Sequence, residues 1–320
     1  MKTEACARRL IEETEKIIIG KRDTIRLVLA AILSGGHVLL EDLPGSGKTT
    51  LVKSLSLALG CSMRRVQFTP DLLPADVTGM MVFNQKTGEF QLREGPVNTN
   101  ILLADELNRA IPRTQSALLE AMEERQVTID GNSLPLPEPF FVLATQNPVE
   151  KESTFPLPAA QLDRFFMKLS MGYPEREEEE SMLAALGDSI PFADITPQAS
   201  PEILKELRKE ISGVFVSEHV NRYIVELVHR TREHGSLKSG ASPRASRCLY
   251  QGGRAAAAMA GRDYVTPDDI QGLFLPVLCH RVQLTSEARY AGTTAEQVLQ
   301  DILEKTPVPP EKSERFAEKS

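Results

Sequence analysis

The sequence lacks a long apolar run. Its nearest candidate, residues 27–33, falls far short of the ~18 apolar residues that a membrane-spanning helix needs. Residues 1–15 are charged and contain no apolar segment of the kind found in secretory signals. We therefore expect neither a membrane span nor export.

Cysteine is scarce, and the few present do not form a pattern. The 4 cysteines are spread along the chain without a CxxC pair, which favours free thiols in a reducing cytoplasm over a zinc site or a disulfide framework. The 5 histidines do not pair with acids or cysteines at the spacing of metal ligands. We expect a cytoplasmic protein without a histidine- or cysteine-based metal centre.

An excess of basic charge is also missing. The chain has 37 basic and 44 acidic residues, a net charge of −7, which argues against general coating of nucleic acid and leaves room only for a local basic pore. The hydrophobic share of 41% and charged share of 25% are ordinary for globular proteins. At about 100–200 residues per domain, the 320 residues suggest two domains.

Three short apolar runs, residues 37–40, 100–104 and 140–144, predict buried strands. Helical patterns lie between them, which favours an α/β fold with a parallel sheet covered on both faces. Polar residues follow each run directly. Ligands of such sheets bind at the carboxyl ends of the strands, so these polar residues are the first candidates for a site.

The first of these strands runs into a glycine-rich loop and then a helical pattern. The loop reads Pro44-Gly45-Ser46-Gly47-Lys48-Thr49-Thr50. In a phosphate-binding loop of this kind, backbone N–H groups surround the phosphates, Lys48 reaches the β and γ oxygens, and the Thr49 hydroxyl holds magnesium. Asp42 stands where such loops usually carry their first glycine.

The other two strands end in residues suited to hydrolysis. Asp105 is expected beside Thr49, where it would hold magnesium through water, and Glu106 would act as the base that polarises the attacking water. Asn147 would orient that water, although an asparagine after a strand also serves as a turn residue.

Two arginines remain open to more than one interpretation. Arg164 could stabilise the γ-phosphate of a neighbouring subunit, or form a surface ion pair with Asp163. Arg244 follows Ser242-Pro243 at a helix start, where it could face phosphate together with the helix dipole, or it could be an ordinary surface arginine.

Residues 82–92 and 127–136 predict two β-hairpins, the second with an Asp-Gly turn. From about residue 175 to 303 the pattern is helical throughout. We therefore expect a nucleotide-binding α/β domain over 1–172, a small all-α domain over 173–304 and a loose tail over 305–320.

Together these segments resemble the MoxR family of AAA+ ATPases, from about residue 16 to 303. The matching stretches begin with the loop at 41–49 and continue with Ala104-Asp105-Glu106-Leu107-Asn108-Arg109-Ala110, the helix at 114–124, Ala144-Thr145-Gln146-Asn147-Pro148, Leu162-Asp163-Arg164-Phe165 and Ala241-Ser242-Pro243-Arg244. The resemblance implies a three-layer AAA+ domain followed by a helical lid.

The resemblance also implies a role for each motif: Walker A for Lys48 and Thr49, Walker B for Asp105 and Glu106, sensor 1 for Asn147, a trans-acting arginine finger for Arg164, sensor 2 for Arg244, and adenine packing for Ile19 and Gly20. It further implies Mg-ATP hydrolysis in a ring, expected to be a hexamer, with the hairpins facing the central pore. A von Willebrand factor A domain protein is the implied partner, in remodelling or maturation of a protein.

Two other functions stay open at this point. A nucleic-acid motor would need pore hairpins rich in basic and aromatic residues, whereas the first hairpin combines Lys86 and Arg93 with Glu89 and Glu94. A nucleotide-gated scaffold that does not hydrolyse ATP would have no need for the base Glu106.

Overall fold

A computed structural model describes residues 1–42, 45–147, 154–186 and 190–309 of the chain. Numbered along the chain, the described strands are β1 (Val38–Glu41), β2 (Met63–Gln67), β3 (Gly79–Asn84), β4 (Glu89–Glu94), β5 (Ile101–Asp105), β6 (Gln126–Ile129), β7 (Asn132–Pro135), β8 (Phe141–Gln146), β9 (Met167–Leu169), β10 (Leu237–Ser239) and β11 (Gln283–Leu284).

The helices are numbered in the same way. They are α1 (Lys2–Glu15), α2 (Arg22–Leu33), α3 (Lys48–Ala58), α4 (Pro74–Thr78), α5 (Pro112–Glu124), α6 (Ala159–Leu162), α7 (Arg176–Leu186), α8 (Pro201–Ser212), α9 (Glu218–Glu233), α10 (Pro243–Met259), α11 (Pro267–Leu278), α12 (Ser286–Tyr290) and α13 (Ala295–Lys305). Among these residues, no helix combines the length and apolarity that a bilayer span requires.

A parallel sheet of five strands forms the centre, in the order β2-β5-β8-β1-β9. The three predicted strands are its three central members, which confirms the parallel sheet expected from the sequence. The two edge strands, β2 and β9, were not predicted. In β2 the burial pattern is mostly exposed or half-buried, so it has no apolar run to mark it.

Side chains of the central strands alternate between two hydrophobic clusters because successive residues of a strand point to opposite faces. Leu39, Leu102 and Val142 pack with α5 on one face. Leu40, Leu103 and Leu143 pack with α2 and α3 on the other face, in a cluster that also includes residues of α8–α11 and α13. The sheet is therefore the middle of three layers, and the C-terminal helices share the core of one outer layer.

Both predicted hairpins are present. Strands β3 and β4 pair antiparallel, as do β6 and β7. The second hairpin turns at Asp130 and Gly131, whose φ angles are 47° and 81°, as a two-residue turn between antiparallel strands requires. The first projects apolar side chains into solvent, among them Phe83 and Phe90 in an edge-to-face contact with ring centroids 5.4 Å apart.

The C-terminal region is mostly helical, as predicted, and two helix starts are capped as the sequence indicates. Ser242 Oγ accepts a hydrogen bond from the backbone N–H of Arg244 at 3.2 Å, and Thr266 forms a capping box with Asp269. The region is not helical throughout, because β10 and β11 form a short antiparallel ribbon. Of the tail predicted over 305–320, residues 310–320 lie outside the described part of the chain.

One buried histidine ties the sheet to α5. His37, 5% exposed, precedes β1. The Val142 N–H donates to its Nδ1 at 3.0 Å, and its Nε2 lies 3.0 Å from the Met122 carbonyl. This arrangement requires a neutral ring with the proton on Nε2. Burial lowers the pKa of His37 to about 3 and lowers the pKa of the buried His280 well below its usual value.

Both shifts make stability depend on pH. The unfolded chain takes up a proton at each histidine near pH 6.5, whereas the folded chain does not, so stability falls as pH drops below about 6.5, by about 1.4 kcal/mol per pH unit for one such histidine. His37→Gln should lower the stability at neutral pH and also flatten this decline, as measured by urea unfolding between about pH 7 and about pH 5. His229→Gln, at an exposed histidine, should keep the wild-type slope. An unchanged slope in His37→Gln would contradict the role of His37.

Candidate functional site

A cavity of about 420 Å³ opens at the carboxyl ends of β1, β5 and β8. The sequence predicted its location and most of its lining. The lining residues are Asp42, Gly45, Ser46, Gly47, Lys48, Thr49, Thr50, Arg65, Gln67, Asp105, Glu106, Thr145, Gln146 and Asn147. The glycine-rich loop, both acidic residues after β5 and the asparagine after β8 therefore meet in one space. Pro44, also predicted to contact the ligand, lies outside the described residues.

The loop between β1 and α3 has the conformation of an anion cradle. Gly45 and Gly47 have φ angles of 84° and 83°, in a region that residues with a Cβ rarely adopt. Helix α3 begins directly after Gly47 without a side-chain cap, so its first N–H groups are available to a ligand. Ser46 Oγ is buried and has no hydrogen-bond partner among the described residues.

Asp105 is fixed from two sides. Its Oδ1 accepts a hydrogen bond from Thr145 Oγ1 at 2.6 Å, and its Oδ2 lies 2.6 Å from the Arg65 guanidinium. Thr145 Oγ1 in turn accepts from the Glu106 N–H at 2.8 Å. The end of β8 thereby sets the position of both acidic residues at the end of β5.

Glu106 is held in an unusual backbone conformation. Its φ of 57° is left-handed, which costs a residue other than glycine about 1–3 kcal/mol and is often found at functional sites. Glu106 Oε2 accepts hydrogen bonds from Gln67 Nε2 at 2.7 Å and from Arg109 at 2.8 Å. The carboxylate is therefore oriented by two donors on one oxygen.

The third strand end supplies amide groups. Asn147 is 7% exposed, and its backbone carbonyl accepts from Asn108 Nδ2 at 3.4 Å. Next to it, Gln146 Nε2 is buried without a partner among the described residues. Two residues of the cavity lining, Ser46 and Gln146, thus each carry a buried polar atom without a partner among the described residues, and such atoms are expected where a polar ligand completes the hydrogen bonding.

The oxygen donors suit magnesium. Thr49 contributes a hydroxyl and Asp105 a carboxylate to the same cavity. Mg²⁺ prefers oxygen ligands, and in phosphate sites it is bound by one or two protein groups, by the phosphates and by water. The small number of protein oxygens here fits this pattern.

Several residues that fix this site were missed from the sequence. Arg65 and Gln67 lie on β2, the edge strand without an apolar run. Thr145 and Arg109 occur in motifs that were recognised, but no pattern in the sequence showed that they would hold Asp105 and Glu106. The pairing of β2 with β5, in which Arg65 lies opposite Leu103 and Gln67 opposite Asp105, brings Arg65 and Gln67 to the two carboxylates.

Arg164 and Arg244 do not line this cavity. They meet at Glu123 on α5, where Arg164 Nε lies 3.2 Å from Oε2 and an Arg244 terminal nitrogen lies 2.6 Å from Oε1. The ion pair that the sequence suggested between Arg164 and Asp163 is replaced by this contact.

Asp163 instead joins two other elements. Its carboxylate accepts hydrogen bonds from Ser242 Oγ and from Arg281 Nε, each at 2.9 Å. The Arg281 side chain is 1% exposed and also donates to the Phe166 carbonyl at 3.1 Å. Asp163 thus ties the segment carrying Arg164 to the helix start carrying Arg244, and the buried Arg281, which the sequence did not reveal, holds Asp163 in place.

Ile19 and Gly20 also lie outside the cavity lining. Ile19 is half-buried, and Gly20 is exposed with a φ of 76°. The adjacent Lys21 donates to the Tyr173 carbonyl at 3.0 Å and lies 3.6 Å from Glu178. The segment predicted to contact adenine therefore borders the connection between β9 and α7.

Comparison with known proteins agrees with this geometry. The ATPase family associated with various cellular activities (AAA) matches residues 37–167, and the AAA lid domain matches residues 229–302. A solved structure of a candidate ATPase from Cytophaga hutchinsonii superposes with a TM-score of 0.90 at 40% identity, covering 97% of this chain and 96% of that one.

Curated relatives give a narrower assignment. The chain is 41% identical to Chaperone MoxR1 of Mycobacterium tuberculosis, over 94% of this chain and 82% of the relative. It is 30% identical to Protein MoxR of Paracoccus denitrificans, over 84% and 86%, and 49% identical to an uncharacterized Bacillus subtilis protein, YeaC, over 95% of each. With a parallel-sheet domain, a lid and this extent of similarity, the chain belongs to the MoxR family of AAA+ ATPases.

Proposed function

We propose that the chain hydrolyses ATP with magnesium in the cavity at the carboxyl ends of β1, β5 and β8. The observation that carries this proposal is the convergence of the left-handed glycine loop, Lys48 and Thr49 with two oriented carboxylates. Lys48 and the first N–H groups of α3 would bind the phosphates. Thr49 and, through water, Asp105 would hold Mg²⁺, which would offset the negative charge that develops on the phosphates.

Glu106 is the proposed general base. Its oxygen that is bonded to Gln67 and Arg109 is oriented, and the other oxygen has the freedom to accept a proton from water. Asn147, at the end of the next strand, is neutral and would orient that water without protonating it. Since a protein that only binds nucleotide needs no such base, Glu106 favours hydrolysis over a nucleotide-gated scaffold.

We further propose that subunits assemble into a ring, in which Arg164 and Arg244 act on the nucleotide of a neighbour. Neither guanidinium group lines the cavity of its own subunit, and the side chains of Arg164 and Arg244 are 34% and 40% exposed. Glu123 would hold both of them until a γ-phosphate of the next subunit offers a stronger anion. A hexamer is the size proposed for this ring, on the resemblance to AAA+ proteins.

The proposed task of the ring is remodelling or maturation of a partner protein. One relative is named a chaperone, and the exposed Phe83 and Phe90 give the first hairpin an apolar tip suited to a polypeptide. The mixed charges of that hairpin do not favour nucleic acid. A von Willebrand factor A domain protein remains the proposed partner.

The role of Glu106 predicts a separation of binding from turnover. Glu106→Gln should leave the ATP affinity unchanged, because the amide keeps the shape of the side chain, and should lower turnover at least about 100-fold by removing the base. Calorimetry measures the first quantity and phosphate release the second. Glu226→Gln, at a surface ion pair of α9, serves as the control. Hydrolysis at the wild-type rate in Glu106→Gln would remove Glu106 from this role.

The proposed action across subunits predicts complementation. Arg164→Ala should keep ATP binding and lose about 1000-fold or more in turnover, the usual contribution of an arginine finger. Lys48→Ala should lose ATP binding. Mixing the two variants should restore part of the activity, because a Lys48→Ala subunit still offers Arg164 to an intact loop. The control is a mixture of Arg164→Ala with the double variant Lys48→Ala/Arg164→Ala, which should stay inactive. If no ratio of the two single variants restored activity, action in trans would be contradicted.

The proposed partner can be captured with the ATP-bound state. Glu106→Gln with ATP, used as bait in a lysate of the source organism, should retain a protein with a von Willebrand factor A domain, identified by mass spectrometry. Lys48→Ala under the same conditions should not retain it, since it cannot reach the ATP-bound state. If the proteins retained only in the ATP-bound state had no such domain, this partner would be contradicted.

A further inference from the structure

Asp42, at the position where phosphate-binding loops usually begin with glycine, is almost fully buried, at 5% exposure. Its carboxylate accepts three hydrogen bonds: from Ser170 Oγ at 2.6 Å, from the Met171 N–H at 2.8 Å and from the Gly172 N–H at 3.1 Å. All three donors belong to the segment 170–172, which follows β9 and leads to α7. One side chain thus holds three consecutive residues of the connection between the sheet and the C-terminal helices.

The backbone of the same residue contacts the phosphate-binding machinery. The Asp42 carbonyl accepts a hydrogen bond from Lys48 Nζ at 3.0 Å, and its N–H lies 3.4 Å from the Gln146 carbonyl at the end of β8. Asp42 also lines the cavity. It is therefore bonded at one end to the lysine expected to bind phosphate and at the other end to the segment 170–172.

The conformation of Asp42 does not call for glycine. Among the described residues other than glycine, positive φ angles occur at Glu106, Arg125 and Asp130, so Asp42 is outside the left-handed region. Segment 170–172 also approaches the loop at a second point, since Met171 Cε lies 3.9 Å from the position that a Cβ on Gly47 would take. The carboxylate is thus placed where it joins two elements that already lie side by side.

We propose that Asp42 is a positioning residue that couples the phosphate site to segment 170–172, and through it to α7 and the C-terminal helices. This inference rests on the proposed nucleotide site. When phosphate draws the Lys48 ammonium away from the Asp42 carbonyl, the backbone of Asp42 loses a bond on the loop side. Its carboxylate passes the resulting shift to the three donors of segment 170–172.

The test is amide hydrogen exchange at Met171 and Gly172, with ADP as the probe. In the wild-type chain, exchange at these two amides should change when ADP binds. In Asp42→Asn the side-chain amide nitrogen opposes the N–H of either Met171 or Gly172, and the remaining oxygen is an uncharged, weaker acceptor for the other N–H. Both amides should therefore exchange faster, and their exchange should no longer respond to ADP. The Asp42→Asn variant should also lose about tenfold or more in turnover, while its affinity for ADP changes by less than about threefold.

Two further variants separate coupling from stability. Ser170→Ala removes one donor to the same carboxylate and should give a smaller effect in the same direction. Asp269→Asn changes another buried carboxylate that accepts a backbone N–H but lies on α11, and it should lower stability without altering turnover per folded molecule or the response of segment 170–172.

The outcomes distinguish this inference from the proposed function. If the wild-type chain did not bind ADP, the nucleotide site itself would be wrong. If wild-type protein bound ADP and hydrolysed ATP, but exchange at Met171 and Gly172 in Asp42→Asn still responded to ADP as in wild type, the coupling role would be overturned and the nucleotide site would stand. An equal loss of ADP affinity and turnover in Asp42→Asn would also overturn it, because it would assign Asp42 to binding alone.

Discussion

The turn from β1 into α3 is the constraint on which the site depends. The chain leaves a buried parallel strand and enters a helix within a few residues, and it does so through two glycines in the left-handed region. This geometry points the uncapped start of α3 at the carboxyl ends of β5 and β8. Parallel pairing fixes the positions of those strand ends. The loop, the two acidic residues and Asn147 therefore face one another across the same cavity.

The sequence predicts the parts of this arrangement that depend on buried strands and on local turns. Apolar runs mark β1, β5 and β8, and turn residues mark both hairpins. The glycine-rich loop between a strand and a helix identifies Lys48 and Thr49 as candidates, and the position directly after an apolar run identifies Asp105 and Glu106. These features depend on neighbours in the chain, which is why a single sequence reveals them.

The features that it does not predict depend on contacts between distant segments. Strand β2 has no apolar run, because it is an edge strand held by its pairing with β5, and so the sequence does not mark its donors Arg65 and Gln67. The place of Arg244 is set by its contacts with Glu123 and Asp163, which lie far away in the chain, and not by the helix start alone. The ribbon of β10 and β11 likewise joins segments more than forty residues apart.

Helix α5 has one further consequence. It starts shortly after Arg109, which contacts Glu106, carries Glu123 near its other end, and continues directly into the second hairpin. A helix about 20 Å long thus runs from the cavity to the two arginines and the second hairpin. In the proposed ring, such a helix would make the position of Arg164 and Arg244, which are proposed to act on the next subunit, depend on the contact between Arg109 and Glu106.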